Sequence, residues 1–261
     1  MSQTSVFALP SLRDKVSPDE WQARVDLAAC YRLFDLYGMS DLAANHISVR
    51  VPGEESFLIN PYGMLYDEMT ASCFIKVDID GKVLLSPDFG KLGYGVNRAG
   101  YVIHSAIHQA RPDVGCVAHT HTAAGMAVSA LECGVLPLTQ TAMRFADTRY
   151  HDYQGVVLDE TEKESLIQDL GDGAYLMLRN HGLLVACSTV AEAFNAMHRF
   201  ELVCRTQLLT QACGQKLVEV PEPVIQATWN NYLPGTRRPF GVLEWPAMLR
   251  KLDRINPGYD R

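Results

Sequence analysis

The chain lacks most of the features that would assign it quickly. It has no basic cluster, and Asp plus Glu outnumber Lys plus Arg by 30 to 23. With a formal charge of −7 and a pI near 5.6, nucleic acid and anionic membranes are poor partners. No apolar run approaches the ~18 residues needed to cross a bilayer. The opening stretch, MSQTSVFALPSLRDK, lacks the charged start and long apolar centre of a secretory signal. The seven cysteines are odd in number and contain no CxxC pair. Free thiols in a reducing compartment are expected, and with them a cytoplasmic location. No strand leads into a GxGxxG turn and a helix, which argues against a Rossmann unit. No repeat, low-complexity tract or Pro/Gly-rich linker divides the chain.

What is present is a globular composition, 48% hydrophobic and 20% charged over 261 residues, enough for a sizeable core. Residues 1–17 read as a loose arm, 18–220 as one domain and 221–261 as a C-terminal extension that is hard to assign. Ser17-Pro18-Asp19-Glu20 is a helix start, with Ser as cap, Pro in the first turn and acids beside the positive end of the dipole. The helix it opens should stop at Gly38. Short strands are expected at 46–51, 56–60, 74–78 and 82–85, with Pro52-Gly53 and Asp80-Gly81 as turns. A glycine-containing loop then leads to a helix over 101–110. A buried strand at 114–121, helices at 122–132 and near 160–170, strands at 174–178 and 183–186, and a long amphipathic helix over 189–212 follow. Strands bracketed by helices at both ends, with several short strand-to-strand turns, predict a mixed α/β or α+β single domain.

Histidine is where chemistry enters. In Ala118-His119-Thr120-His121 the two imidazoles sit two residues apart at a strand end, so they share a face and can chelate one cation. His181, in the tight turn Arg179-Asn180-His181-Gly182, is the leading third ligand. Three neutral imidazoles with an open position make a known catalytic-zinc arrangement, which also suits iron or manganese. A bare HxH is often incidental, its rings satisfied by carbonyls. His104 and His108 are a rival pair at i, i+4, but the glutamate of HExxH is missing and a structural role is favoured. His46, His151 and His198 read singly as satisfied polar residues. Cys116 has apolar neighbours and reads as a buried, inert thiol. The loop 90–100 lacks the ending of a phosphate-binding turn.

Several stretches resemble the class II aldolase/adducin family: NHISVRV at 45–51, FLINPYGMLYDEMTAS at 57–72, FIKVDIDGKVL at 74–84, VNRAGYVIHSAIHQARPDVGCVAHTHTAAGMAVSAL at 96–131 and LMLRNHGLLV at 176–185. The resemblance runs from His46 to about Arg205, about 160 residues, and the wording, with YHDYQG at 150–155, is closer to the adducin-like branch than to the sugar-phosphate aldolases. The resemblance implies a three-layer α/β/α sandwich around a mainly antiparallel sheet, commonly a homotetramer with active sites between subunits. It also implies that His119, His121 and His181 hold a divalent metal, zinc first, with manganese or iron also suitable. In the enzyme members such a metal polarises a carbonyl and stabilises an enediolate.

Two departures weigh against ordinary phospho-sugar chemistry. The acid/base glutamate of the aldolases falls on Gly100, and their Ser-Ser and Gly-Asn phosphate cradle falls on Arg98-Ala99 and Asn45-His46. In their place Arg98 offers a fork for a carboxylate. His46 offers a general acid/base near neutral pH, and Tyr101 offers a phenol; each has a structural alternative. The YHDY segment reads as a structural loop. The favoured function is a metal-dependent lyase that cleaves or decarboxylates a small oxygenated carbonyl or carboxylate substrate. Some relatives decarboxylate hydroxylated aromatic acids, iron-dependent oxidative examples among them. The alternative is a non-catalytic, adducin-like scaffold or binding protein with a structural metal, although the long basic tail of adducin is missing from this sequence.

Overall fold

The computed structural model describes residues 9–155 and 161–261. Eight strands form one sheet in the spatial order β4-β3-β2-β1-β5-β8-β7-β6. In chain order they are β1 (His46–Arg50), β2 (Ser56–Ile59), β3 (Ile75–Asp78), β4 (Val83–Leu85), β5 (Cys116–Thr120), β6 (Arg149–His151), β7 (Tyr175–Leu178) and β8 (Gly182–Cys187). Every neighbouring pair is antiparallel except β6 and β7. The sheet is therefore mainly antiparallel, as expected.

Side chains alternate across the central strands and show why both faces are covered. Cys116, Ala118, Met177, Leu183 and Val185 enter one apolar cluster. Val117, Leu176, Leu178, Leu184 and Ala186 enter the other. The first is shared with α1 (Pro18–Leu36) and α6 (Val190–Ala212). The second is shared with α2 (Arg98–Ala110) and α5 (Thr161–Leu170). The result is the α/β/α sandwich.

The sequence signals explain most boundaries. Ser17 accepts from the Glu20 amide to cap α1, with Pro18 in the first turn; Thr189 accepts from the Glu192 amide to cap α6. Thr122 caps the start of the short α3 (Ala123–Ser129), a helix that ends before the expected residue 132. α2 begins at Arg98, three residues before the expected start. Before Pro221, α4 (Gln140–Met143) and β6 were not anticipated. Glu160, the expected start of α5, lies outside the described residues, as does the first half of the expected N-terminal arm.

The stretch after Pro221 folds into α7 (Glu222–Asn230) and α8 (Trp245–Ile255). It packs on the same core as the rest: Leu252 is fully buried, and the Trp245 indole donates to Asp26. Arg32 donates to the carbonyls of Asn256 and Pro257.

Candidate metal centre

Strand β5 ends at Thr120, so His119 lies in its last turn of pleat and His121 just beyond. β8 pairs with it antiparallel, Thr120 opposite Leu183, which brings the turn before β8 to the same end. His181 occupies that turn. Gly182 lies so close to the Thr120 carbonyl that a Cβ there would collide with it, so glycine is needed for the approach.

The three side chains converge. Nε2 of His121 lies 2.8 Å from Nε2 of His119 and 2.9 Å from Nε2 of His181. The three donor atoms all fall within 4.8 Å of one another. The outer nitrogens explain the orientation. Nδ1 of His119 faces the Leu183 carbonyl at 2.9 Å, and Nδ1 of His121 faces the Asp41 carboxylate at 3.3 Å. An acceptor on Nδ1 fixes the proton there and turns the Nε2 lone pair inward. Burial pulls the pKa of His119 well below its ordinary value, with His181 and His121 adding to the effect. His181 is lowered to about 4, again chiefly by desolvation. Neutral rings with lone pairs aimed at one point repel each other unless a cation lies between them. The donor set fits a divalent metal.

The surroundings hold a residue that the sequence reading did not single out, Asp41. Tyr153, the last residue of the YHDY segment read as a structural loop, is exposed, and its ring stands edge-on to His181 with centroids 6.5 Å apart. Among the described residues only Leu42 and Asn180 adopt a positive φ without being glycine, at 48° and 56°. One follows Asp41 and the other precedes His181, so backbone strain is stored beside the site.

The remaining candidates separate. His46 pairs across the strands with His119 and lies on the same face. It is buried, and its Nε2 has no hydrogen-bond partner. Burial, and secondarily His121, lower its pKa to about 4. A Cβ placed on Gly100 would stand 2.5 Å from Nδ1 of His46. The imidazole therefore fills the space into which a side chain at position 100 would grow. Arg98 is exposed at the start of α2. Tyr101 is not turned to the cluster: its hydroxyl donates to the Ile79 carbonyl at 2.8 Å and its ring stacks on Phe57.

His104 and His108 do not chelate. The Ser48 hydroxyl bridges Nδ1 of His104 at 2.6 Å and Nε2 of His108 at 2.8 Å. His151 faces Asp169 at 2.7 Å, and His198 stacks on Phe194. The segment expected as a loop around 150 is in part strand β6, with Tyr150 accepting from the Val135 amide and lying under Arg179. Cys116 is fully buried, and burial raises its thiol pKa well above the ordinary value.

Three clustered histidines at one end of a two-faced, mainly antiparallel sheet give this α/β/α protein a donor set that could hold a metal ion. The profile described as Class II Aldolase and Adducin N-terminal domain matches residues 25–208. The chain belongs to the class II aldolase/adducin family. An aldolase II superfamily protein from Pseudomonas syringae superposes with a TM-score of 0.91 at 45% identity, over 97% of this chain and 100% of that one. Alpha-adducin of Mus musculus is 41% identical over 98% of this chain but only 37% of its own length. L-fuculose 1-phosphate aldolase from Glaciozyma antarctica PI12 superposes with a TM-score of 0.78 at 27% identity, covering 98% and 97%.

Proposed function

We propose that the chain is a metal-dependent lyase of this family that acts on a small oxygenated carbonyl or carboxylate substrate, by decarboxylation rather than by aldol cleavage of a phospho-sugar. The observation that carries the choice is the occupation of the space beside Gly100 by His46. A glutamate at 100 cannot coexist with that ring, and the chemistry must proceed without it. A divalent ion, zinc first and manganese or iron as further options, would be held by His119, His121 and His181 and would supply Lewis-acid polarisation of a substrate carbonyl.

The rest falls to the chain's own groups. With its pKa lowered to about 4 by burial, His46 is neutral at pH 7, and its Nε2, which has no hydrogen-bond partner, would be open to a hydrogen bond with substrate. Arg98 would orient a substrate carboxylate with its planar fork. Decarboxylation needs no base to begin, which matches a site that has lost its glutamate. Tyr101, spent on Ile79, drops out. A homotetramer with sites between subunits and a cytoplasmic location complete the reading.

The experiment is metal content by plasma mass spectrometry on anaerobically purified protein, with His119→Ala and His181→Ala alongside. About one metal per chain is expected, lost in both variants. The metal-loaded protein is then screened for carbon dioxide release from hydroxy and oxo acids and for cleavage of L-fuculose 1-phosphate. A folded chain that stays metal-free after reconstitution ends the lyase reading.

A second reading is supported by the 41% identity with alpha-adducin across nearly all of this chain: a non-catalytic binding protein with a structural metal. X-ray absorption on the loaded protein separates the two. An exchangeable water at the fourth position favours the lyase, and a fourth protein ligand favours the structural metal.

A further inference from the structure

The end of the sheet opposite the histidines holds a cavity of about 720 Å³, within the usual range for small-molecule sites. β8 leaves the metal centre at Gly182 and reaches this cavity at Ala186 and Cys187. The two are separated by the length of the strand, roughly 3.3 Å per residue. The far wall comes from α7 and the loop after it, which contribute Trp229, Tyr232, Arg237, Arg238 and Phe240.

Five arginines line the cavity, and they are not equivalent. Arg111 is matched by Asp113 and by the carbonyls of Gly171 and Gly173. Arg149 is matched by Asp147 and Asp172. Glu192, also at the wall, is taken by the hydroxyls of Ser188 and Thr189. Arg144, Arg237 and Arg238 have no carboxylate partner among the described residues.

Arg144 is 5% exposed. Its Nε donates to Tyr175 and one terminal nitrogen to Asn195, at 2.9 and 2.7 Å. Among the described residues Nη2 makes no hydrogen bond, and the side chain lines the cavity. Its guanidinium carbon lies 3.7 Å from the centroid of Phe240, and that of Arg237 lies 3.8 Å from the same centroid. Two groups so close to one ring must take opposite faces. The ring holds both planes in place, and it holds two like charges within a screening length of ~8 Å.

Such an arrangement is prepared for an anion of more than one charge. A phosphate monoester, near −2 at neutral pH, answers three unmatched guanidiniums better than a single carboxylate does. The aromatic wall of Trp229 and Tyr232 then offers a surface for a planar ring carried by the same molecule. We propose that this cavity binds a mononucleotide, its phosphate among Arg144, Arg237 and Arg238 and its base against Trp229 and Tyr232. The site is independent of the metal centre.

The test is isothermal titration of the full chain with adenosine monophosphate, adenosine and inorganic phosphate. AMP is expected to bind with Kd below ~1 mM, and each half-molecule at least about tenfold more weakly. Arg237→Ala/Arg238→Ala is expected to weaken AMP about tenfold or more and, since both residues are exposed, to keep the wild-type melting temperature. His119→Ala/His181→Ala is expected to leave AMP affinity unchanged. No heat with AMP, an affinity indifferent to the arginine pair, phosphate binding as tightly as AMP, or loss of binding in the histidine variant would each overturn the proposal.

Discussion

The Asp41 carboxylate faces the outer nitrogen of His121, and so favours the ring orientation in which Nε2 turns to the histidine cluster. Asp41→Ala is expected to weaken metal affinity 10- to 100-fold, the usual cost of losing a ligand's orienting partner. Competition titration with a chelating indicator reads this directly, and Asp41→Asn, which can still accept a hydrogen bond, should recover part of it. Gly100 supplies a second prediction. Gly100→Ala drives a methyl to 2.5 Å from the His46 ring and should cost about 1–3 kcal/mol by overpacking. In a His46→Ala background the cost should largely vanish, so urea denaturation of the four proteins forms a double-mutant cycle with strong coupling. The three clustered histidines were legible in the sequence because an HxH spacing and a glycine-flanked histidine are local patterns. Asp41 was not, since 80 residues separate it from His121 and no spacing rule connects them. The direction of the Tyr101 phenol was not legible for a similar reason: neighbourhood with Gly100 says nothing about which way it turns.

Between elements, α2 and β1 meet through polar contacts that the sequence did not announce. His104 and His108 have the spacing of a helix chelate, but Ser48 on β1 takes both. Ser48→Ala should strand two buried imidazole nitrogens and cost about 1–3 kcal/mol, measured as a fall in the urea midpoint at unchanged slope. Thr189→Ala removes the cap of α6 and is expected to cost about 1 kcal/mol. Helix caps, turns and two-residue alternation were readable for most elements because each is set within a few residues. β6 was not, because three residues carry no period and its parallel pairing with β7 is decided by the rest of the sheet. α7 and α8 likewise take their shape from the surface they cover. The Trp245–Asp26 contact spans 219 residues.

At the scale of the whole molecule, the buried histidines make stability depend on pH. Burial lowers His46 and His181 to about 4 and His108 to about 3, and pulls His104 and His119 down as well. The unfolded chain titrates these rings near 6.5, so below that pH it takes up protons that the native state refuses. Stability is full above 6.5 and is lost as pH falls toward 4, at up to roughly 1.4 kcal/mol per pH unit for each ring. Calorimetry of chelator-treated protein should show a melting temperature lower by ~10 °C or more at pH 5 than at pH 7. A flat profile would mean that the rings are already charged or hydrated. The ligand set also has a kinetic side. His119 and His121 are near neighbours in any conformation, but His181 lies 60 residues from His121 and reaches it only while β5 and β8 are zipped. An unfolded chain can offer a cation two donors and pays loop-closure entropy for the third. Release of a bound ion is therefore expected to accompany parting of β5 and β8.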